Sequence, residues 1–459
     1  MISSNQALPV AVIGAGPVGL AAAAHLAERG LPFVILEASQ DVAATFASVA
    51  HVRLFSAWKL NVDAAAARLL EASGWQPPDA DELPTAGAMR ERYLKPLAAR
   101  FNGRVRYGTR VAAVTRLAYD KLKTTGREGT PFVLRVESAG GTDELLAQAV
   151  IDATGTWATP NPLGASGLPA LGEVTHADRI AYGMPDVLGS ERARYAGKRV
   201  AVVGAGHSAA GTLLSLVELA KSDARTSIVW VVRGTNLKRL FGGGANDGLP
   251  ARGQIGTSLR ALTEAGRLEL HHGFYIDALE RDGAFLRIRG RSAAGDALQV
   301  DGIDEIVAAT GSRPDLSLTR ELRVKLDPIV ESTETLAPLI DPNVHSCGSV
   351  PPHGHRELAH PEVGYYAVGA KSYGRAPNFL LATGYEQVRS VVAALAGDLA
   401  AADDVQLALP ETGVCSTDFA TEEPGGGGCC TVSQPEPAPS CGTGGCAKPE
   451  AKSRSSCCG

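Results

Sequence analysis

Residues 10–26, VAVIGAGPVGLAAAAHL, decide the fold of this chain. A short β-branched run leads into Gly14, Gly16 and Gly19, and an alanine-rich run follows. This G-x-G-x-x-G spacing predicts a tight turn at the first glycine, close backbone approach to a pyrophosphate at the second, and close helix–strand packing at the third. The helix N-terminus, with Pro17 in its first turn, is then expected to hold the phosphates.

The next predicted strand, residues 33–39 or FVILEAS, carries Glu37 at its end. A carboxylate at this place accepts a hydrogen bond from a ribose 2′-hydroxyl and repels a 2′-phosphate. Glycines alone could mark any tight strand–helix turn. Glu37 and the flanking pattern favour a dinucleotide without a 2′-phosphate, and we predict FAD.

A second stretch, residues 199–216, repeats the pattern as RVAVVGAGHSAAGTLLSL, with Gly204, Gly206 and then Ala209 in place of the third glycine. Its second strand, SIVWVVR, ends in Arg233 rather than in an acid. A guanidinium at that position pairs with a 2′-phosphate, so NADPH is favoured over NADH. The alternative is that Arg233 is a solvated charge at the end of a strand.

Both stretches close on Ala-Thr-Gly, in VIDATGTW at 150–157 and IVAATGSRP at 306–314. The pattern predicts an α/β fold with two Rossmann-like units, the second inserted in the first. We expect an FAD-binding domain at 1–160 and 312–409, an NAD(P)H-binding domain at 161–311, and a disordered, cysteine-rich tail at 410–459. Two dinucleotide sites in one chain imply hydride transfer from the nicotinamide to the flavin.

The composition gives no reason to expect nucleic acid or an anionic membrane as a partner. The 459 residues carry a net charge of −5, and 20% are charged, with no basic block. The apolar run at 10–27 lacks a basic flank and is broken by glycines, so it predicts neither a signal peptide nor a membrane span. We therefore expect a cytoplasmic protein that acts on a small molecule.

Four segments, GAGPVGL, ATGTW, GAGHSAAG and ATGSRPD, resemble signatures of the flavin-containing monooxygenase and flavoprotein disulfide reductase superfamily over residues 8–400. The resemblance implies two domains of three-layer ββα form. It also implies FAD contacts from the first unit and NADPH contacts from the second. The implied cofactor-binding residues are Gly14, Gly16, Pro17, Gly19, Glu37, Thr154, Gly155, Gly204, Gly206, Ser208, Arg233, Thr310 and Gly311.

Two departures from the superfamily bear on the chemistry. Neither half has the C-x-x-C or C-x4-C that a disulfide reductase needs near its flavin, so the core resembles a monooxygenase more than a thiol reductase. The monooxygenase signature F-x-G-x-x-x-H is only half present, with Gly172 and His176 matching and Ala170 in place of the aromatic residue. His176 is thus a candidate catalytic residue, and the alternative is an ordinary loop histidine.

Residues 350–379 gather many titratable groups in a loop-rich span. Such a loop beside the segment that closes the FAD domain is a candidate site, and the alternative is a solvated surface loop. A structural zinc is disfavoured because no closing cysteine is available in an ordered region. The candidate catalytic residues in this span are His353, His355, Arg356, Lys371, Tyr373 and Arg375.

The tail concentrates seven of the eight cysteines in the last 45 residues. Thiolates on a mobile chain suit a thiophilic ion such as As(III), Hg(II), Cu(I) or Zn(II), and the alternative is an oxidation-prone tail without a ligand. The predicted metal ligands are Cys429, Cys430, Cys441, Cys446, Cys457 and Cys458.

This tail and the segment KSYGRAPNFL resemble the ArsO-like flavin-binding monooxygenases of bacterial arsenic-resistance operons. That resemblance implies As(III) or an organoarsenical as substrate or cargo. Two alternatives stay open: an NADPH-dependent flavoprotein reductase that acts on a tail-bound metal or on a disulfide, and a non-enzymatic metalloid-binding or redox-sensing flavoprotein.

Overall fold

A computed structural model describes residues 7–235, 241, 250–342 and 350–407 of the chain. Two parallel five-stranded sheets form its centre, and each is covered by a three-stranded antiparallel sheet and by helices. The strands are β1 (Val10–Ile13), β2 (Phe33–Leu36), β3 (Val105–Arg106), β4 (Arg110–Arg116), β5 (Phe132–Ser138), β6 (Gly141–Ala147), β7 (Ala149–Asp152), β8 (Ile180–Tyr182), β9 (Arg199–Val203), β10 (Ser227–Val231), β11 (Glu269–His271), β12 (Tyr275–Asp282), β13 (Phe285–Arg291), β14 (Ala297–Ile303), β15 (Glu305–Ala308) and β16 (Tyr365–Ala367).

The helices cover one face of each central sheet. They are α1 (Pro17–Glu28), α2 (Ala44–Ser48), α3 (Trp58–Asn61), α4 (Ala64–Glu71), α5 (Ala86–Met89), α6 (Lys95–Ala99), α7 (Arg192–Tyr195), α8 (His207–Ser222), α9 (Pro250–Glu264), α10 (Ala337–Ile340), α11 (Leu381–Leu395) and α12 (Leu399–Asp403). A π-helical turn at Arg90–Leu94 joins α5 to α6. Within the described ranges, no helix is both long and apolar enough to cross a bilayer.

The first central sheet has the strand order β16-β7-β1-β2-β3. The inner strands β1, β2 and β7 are buried on both faces, which explains why β1 is apolar without alternation. Val10 and Val12 point into a core shared with α1, α4 and α11. Ala11 and Ile13 point to the other side, into a core shared with β4 and β5. The sheet thus lies between a helical layer and a second sheet.

The second central sheet has the order β11-β10-β9-β15-β8 and repeats this layering. Val200 and Val202 pack against α8. Ala201 and Val203 pack against β12, β13 and β14. The prediction of an α/β fold with two Rossmann-like units in ββα layers is therefore confirmed.

The second unit is an insertion in the first. Strand β16, which follows the second unit in the chain, pairs in parallel with β7, which precedes it. The two connecting segments touch where they cross between the units, since Asn161 N–H donates to the Gly311 carbonyl at 2.9 Å and the Thr156 and Ser312 hydroxyls lie 2.8 Å apart. The predicted domain boundaries at 160/161 and 311/312 fall in these segments and stay predictions.

Candidate dinucleotide-binding sites

The turn between β1 and α1 has the backbone geometry that the glycine spacing predicts. Gly14 has a φ of +103°, and a Cβ there would lie 2.8 Å from the Ala153 carbonyl oxygen. A Cβ on Gly19 would lie 2.0 Å from the Gly14 carbonyl oxygen. A side chain at Gly14 would clash with the segment that follows β7, and a side chain at Gly19 would push α1 away from the turn. These two glycines fix the turn.

Gly16 is different, because no atom of the described residues lies within 4 Å of the position that its Cβ would take. It is the N-cap of α1, and no side chain accepts from the first N–H groups of that helix. Open space beside uncapped backbone donors and the positive end of a helix dipole fits a pyrophosphate. The residues present therefore fit the dinucleotide that the sequence predicts.

Glu37 is held in place at the carboxyl end of β2. Its Oε2 accepts from Ala15 N–H at 2.7 Å, and its Oε1 accepts from Ser39 N–H at 2.8 Å. Ala15 belongs to the glycine turn, so the carboxylate is tied to the same loop that surrounds the open space. Each oxygen keeps a lone pair with which it can accept from a ribose hydroxyl.

The second unit carries the same turn. Gly204 has a φ of +138°, and a Cβ there would lie 2.2 Å from the Ala309 carbonyl oxygen. In the part of the chain that the structure describes, Gly206 has no atom within 4 Å of its Cβ position, and it is the N-cap of α8 without a side-chain hydrogen bond. Ala209, at the place of the third glycine, is fully buried. Ser208 lies in the first turn of α8, where its carbonyl accepts from the Thr212 hydroxyl.

Arg233 lies two residues beyond the end of β10, and its side chain is exposed. Its Nη1 donates to the Ala165 carbonyl at 3.1 Å, so most of its donors stay available for a ligand. Its neighbours Lys238 and Arg239 lie outside the described residues. The position suits recognition of a 2′-phosphate at the adenosine end of this site.

The two units meet next to the second glycine turn. The ring of Phe55, from the first unit, stands 5.0 Å from the ring of His207, the first residue of α8. The start of α8 is therefore beside the first unit. A dinucleotide at Gly206 would lie near the contact between the units.

A buried ion pair lies at the carboxyl end of β7. Lys371 Nζ is 2.6 Å from Asp152 Oδ2, and both side chains are buried. The Tyr365 hydroxyl donates to the same oxygen at 2.9 Å, and Lys371 also donates to the Thr154 hydroxyl at 3.1 Å. Burial and the Asp152 carboxylate raise the pKa of Tyr365 well above its ordinary value. The cluster ties Thr154 and Gly155, whose φ is +68°, to the segment after β16.

His353 is buried in a second network. Gln387 accepts from Gly369 N–H through Oε1, which leaves its Nε2 to donate to His353 Nε2 at 2.9 Å and to the Ser372 hydroxyl at 2.9 Å. His353 Nδ1 then donates to the Pro351 carbonyl at 3.0 Å. Burial lowers the pKa of His353, in keeping with a neutral ring in this arrangement.

The other candidates of the 350–379 span point elsewhere. His355 Nε2 and the Arg356 guanidinium both bind the Asp403 carboxylate, which lowers the pKa of Asp403. The Arg375 guanidinium pairs with Glu331 at 3.0 Å. Tyr373 is buried, and burial raises its pKa. The structure thus disperses this group, and the catalytic roles of its members stay predictions.

His176 lies in a turn of the second unit that packs against β12, where Leu171 N–H donates to the Asp277 carbonyl at 2.9 Å. Gly172, with a φ of +82°, starts the turn, and His176 N–H donates to its carbonyl at 3.0 Å. The neighbouring Glu173 is buried and accepts from the N–H groups of Leu163 and Ala170. The turn is thus fixed to the second unit, and a catalytic role for His176 stays a prediction.

The sequence did not single out three residues near these sites. Asp152 pairs with Lys371, and its signal is an acid directly before the Ala-Thr-Gly stop. Gln387 organises the His353 network. Asn378 has a buried side chain amide without a partner in the described structure. Gln387 has no local sequence signal, and Asn378 lies within the KSYGRAPNFL segment, whose resemblance does not point to this residue in particular.

The predicted metal ligands are not tested by the structure. Cys429, Cys430, Cys441, Cys446, Cys457 and Cys458 lie outside the described residues, as does Cys347. Among residues 7–235, 241, 250–342 and 350–407, no group of three or more His, Cys, Asp or Glu side chains is arranged to hold a metal ion.

Comparison with known proteins gives both a family and a fold. Residues 11–347 match the family described as pyridine nucleotide-disulphide oxidoreductase. The probable indole-3-pyruvate monooxygenase YUCCA7 of Arabidopsis thaliana is 34% identical over 220 residues, which cover 48% of this chain and 46% of that protein. The chain thus spans about half the length of the curated relatives it matches.

Two solved structures share the fold along most of the chain. The bacillithiol disulfide reductase Bdr (YpdA) from Bacillus cereus has a TM-score of 0.62 at 18% identity, covering 85% of this chain and 99% of that one. The ornithine hydroxylase PvdA from Pseudomonas aeruginosa has a TM-score of 0.59 at 16% identity, covering 86% and 100%. The same fold therefore serves both a disulfide reductase and a hydroxylase.

Proposed function

We propose that this chain, which belongs to the pyridine nucleotide-disulphide oxidoreductase family, is an NADPH-dependent flavin monooxygenase linked to the handling of arsenic or another thiophilic metalloid. FAD binds in the first unit and NADPH in the second. The observation that carries the proposal is the pair of matching glycine turns, each with open space at its second glycine, followed by an acid in one unit and by an arginine in the other.

The residues of each unit hold one cofactor. The Gly16 backbone and the start of α1 bind the FAD pyrophosphate, and Glu37 accepts from the adenosine ribose. Gly206 and the start of α8 bind the NADPH pyrophosphate, and Arg233 pairs with the 2′-phosphate. The flavin, when bound, accepts a hydride from the nicotinamide and passes electrons to oxygen.

Oxygenation is favoured over disulfide reduction by the cysteine pattern. The only cysteine before residue 410 is Cys347, so the part of the chain that matches the family holds no dithiol that could relay electrons from a flavin. The similarity to YUCCA7, which is named a probable monooxygenase, also supports oxygenation. A reductase that passes electrons to the tail cysteines is the second candidate.

The proposed acceptor is As(III), which the tail cysteines collect. A monooxygenase would convert NADPH, a proton, O2 and arsenite into NADP⁺, water and arsenate, with one oxygen atom transferred to arsenic. Thiolates are soft ligands and bind such an ion well. Because the cysteines are covalently linked to the core, an ion that they bind would have a roughly millimolar effective concentration there.

The test is NADPH oxidation by the purified, FAD-loaded full chain, with As(III), Hg(II), an organic sulfide or a disulfide, under air and under argon. A monooxygenase of As(III) should consume NADPH faster with As(III) under air only and form arsenate in proportion to NADPH. Turnover that persists under argon with Hg(II) or a disulfide would instead establish the reductase. A protein that consumes no NADPH under any condition would contradict both.

A chain that ends at residue 407 provides the control for the tail. Its FAD content and basal NADPH oxidation should match the full chain, while half-maximal stimulation should need more As(III). Serine at Cys429, Cys430, Cys441, Cys446, Cys457 and Cys458 should reproduce the truncation. If truncation abolishes NADPH-dependent flavin reduction, the collecting role of the tail is wrong.

A further inference from the structure

Asn378 presents two buried polar atoms that nothing in the described structure satisfies. Neither its Oδ1 nor its Nδ2 is accessible to solvent, and neither has a hydrogen-bond partner among the described residues. Native proteins pair nearly all such atoms, and an unpaired donor beside an unpaired acceptor therefore points to a missing ligand with both functions.

The position of Asn378 places it at the first dinucleotide site. Its segment follows β16, and ligands of parallel sheets bind beyond the carboxyl ends of the strands. Its neighbour Phe379 packs next to α1: a Cβ on Gly384 would lie 2.8 Å both from the Phe379 ring and from Val18. Val18 is the second residue of α1, two positions after Gly16.

The strand order decides which half of FAD lies there. Strand β2, with Glu37 at its end, is on one side of β1, while β7 and β16 are on the other. Glu37 is placed to hold the adenosine ribose, and the pyrophosphate crosses at Gly16. The flavin half must then extend over β7 and β16, toward the segment that contains Asn378.

We propose that the Asn378 side chain binds the pyrimidine edge of the flavin, with Oδ1 accepting from flavin N3–H and Nδ2 donating to an adjacent flavin carbonyl. This inference rests on the proposed binding of FAD in the first unit. The pyrimidine edge offers a donor between two acceptors, which matches a side-chain amide in two parallel hydrogen bonds. A phosphate or a carboxylate offers only acceptors and would leave Oδ1 unpaired.

The test compares FAD with 3-methyl-FAD, which lacks the N3–H donor. FAD-free protein is titrated with each flavin, and binding is followed by fluorescence. The wild-type chain should prefer FAD by about tenfold, the effect of one to two hydrogen bonds. Asn378→Leu should bind FAD more weakly and bind both flavins about equally.

Asn378→Asp provides a second variant of nearly the same size. It keeps an acceptor for N3–H but loses the donor and adds a negative charge. We expect its bound flavin to have a lower midpoint potential than the wild-type flavin, measured against a reference dye, because a carboxylate opposes the negative charge of the reduced ring. An unchanged potential in this variant would contradict the proposed contact.

Asn61→Leu is the matched control, because the Asn61 amide is also buried but already donates to the carbonyls of Ser56 and Ala57. It should lower the melting temperature and keep the preference for FAD. If the wild-type chain binds no FAD, the proposed function fails. If FAD binds and the preference survives in Asn378→Leu, the proposed function stands and the role of Asn378 is wrong.

Discussion

The two units have the same glycine turn, but they differ in the charge of the residue that follows the second strand. In the first unit the acid Glu37 is locked by two backbone N–H groups. In the second unit Arg233 reaches one carbonyl and stays exposed. The glycine turn needs only backbone geometry and is therefore the same in both. The residue after the second strand differs, and we predict that this residue determines which nucleotide each unit accepts.

The third position of the turn shows a second difference. Gly19 lies so close to Gly14 that a Cβ would clash with backbone, whereas Ala209 takes the equivalent place in the second unit and is fully buried. The first helix therefore packs more closely on its strand than the second. A small residue is required in both, but only the first unit requires glycine.

Valine at Gly16 or at Gly206 should abolish binding at one dinucleotide site and leave the other intact, and we expect this to be the largest of the effects. Gly16→Val should lower FAD affinity by about two orders of magnitude or more, because the side chain fills the space that the pyrophosphate needs. The melting temperature should equal that of FAD-free wild type, since no atom lies within 4 Å of the new Cβ. Gly206→Val should keep FAD and lose NADPH binding. Flavin retained by Gly16→Val would show that the first site is misplaced.

Acid should lower the free energy of unfolding of the first unit, because His360, shortly before β16, is buried as a neutral ring. Burial lowers the pKa of His360 to about 4, and its Nδ1 accepts from Lys325 N–H. The unfolded ring has a pKa of about 6.5, so the stability that the neutral ring contributes is complete above that pH and is lost as the pH falls toward 4. The loss amounts to about 3 kcal/mol.

Urea unfolding at pH 7 and at pH 4.5 measures this loss. His360→Asn keeps an acceptor but does not titrate, and it should flatten the pH dependence. Hydrogen exchange at β16 should rise more in acid than at β9, because β9 belongs to the other unit. An equal pH dependence in wild type and His360→Asn would contradict the expectation.

Replacing Arg233 tests the preference for NADPH over NADH, and of the predicted effects we expect this one to be the smallest. Arg233→Ala should raise KM for NADPH about tenfold to a hundredfold and leave KM for NADH nearly unchanged, because a charge-assisted contact to the 2′-phosphate contributes about 1.5–3 kcal/mol. Arg225→Ala is the charge-matched control, since Arg225 is exposed and pairs with Asp223. A similar rise for both nucleotides would show that Arg233 does not read the phosphate.

The glycine turns could be predicted because they depend on neighbours in sequence. Strand, turn and helix are local, and the spacing of Gly14, Gly16 and Gly19 specifies a backbone rather than a distant contact. The ion pair of Lys371 and Asp152 could not be predicted, because the two segments are far apart in sequence. The hydrogen bond from Lys371 to Thr154 in the same cluster, for example, spans 217 positions. Only the pairing of β16 with β7 brings the two segments together.

The loop at 350–379 shows the limit of composition as a guide. A dense set of titratable residues suggests one site, but each side chain follows the backbone on which it stands. His353 points inward to Gln387, while His355, two residues later, points outward to Asp403. Among the described residues of this span, buried polar atoms without a hydrogen-bond partner belong to the uncharged Asn378 amide and to the Tyr373 hydroxyl, rather than to a cluster of charged groups.

The pairing of β16 with β7 also sets the order in which the chain can fold during synthesis. The ribosome releases residues 1–160 long before β16 and α11, which supply one edge strand and a packing helix of the first core. The inserted unit has all its strands by residue 308 and can close first. The N-terminal segment therefore stays incomplete, with the apolar surface that α11 later covers still exposed, until α11 has been synthesised.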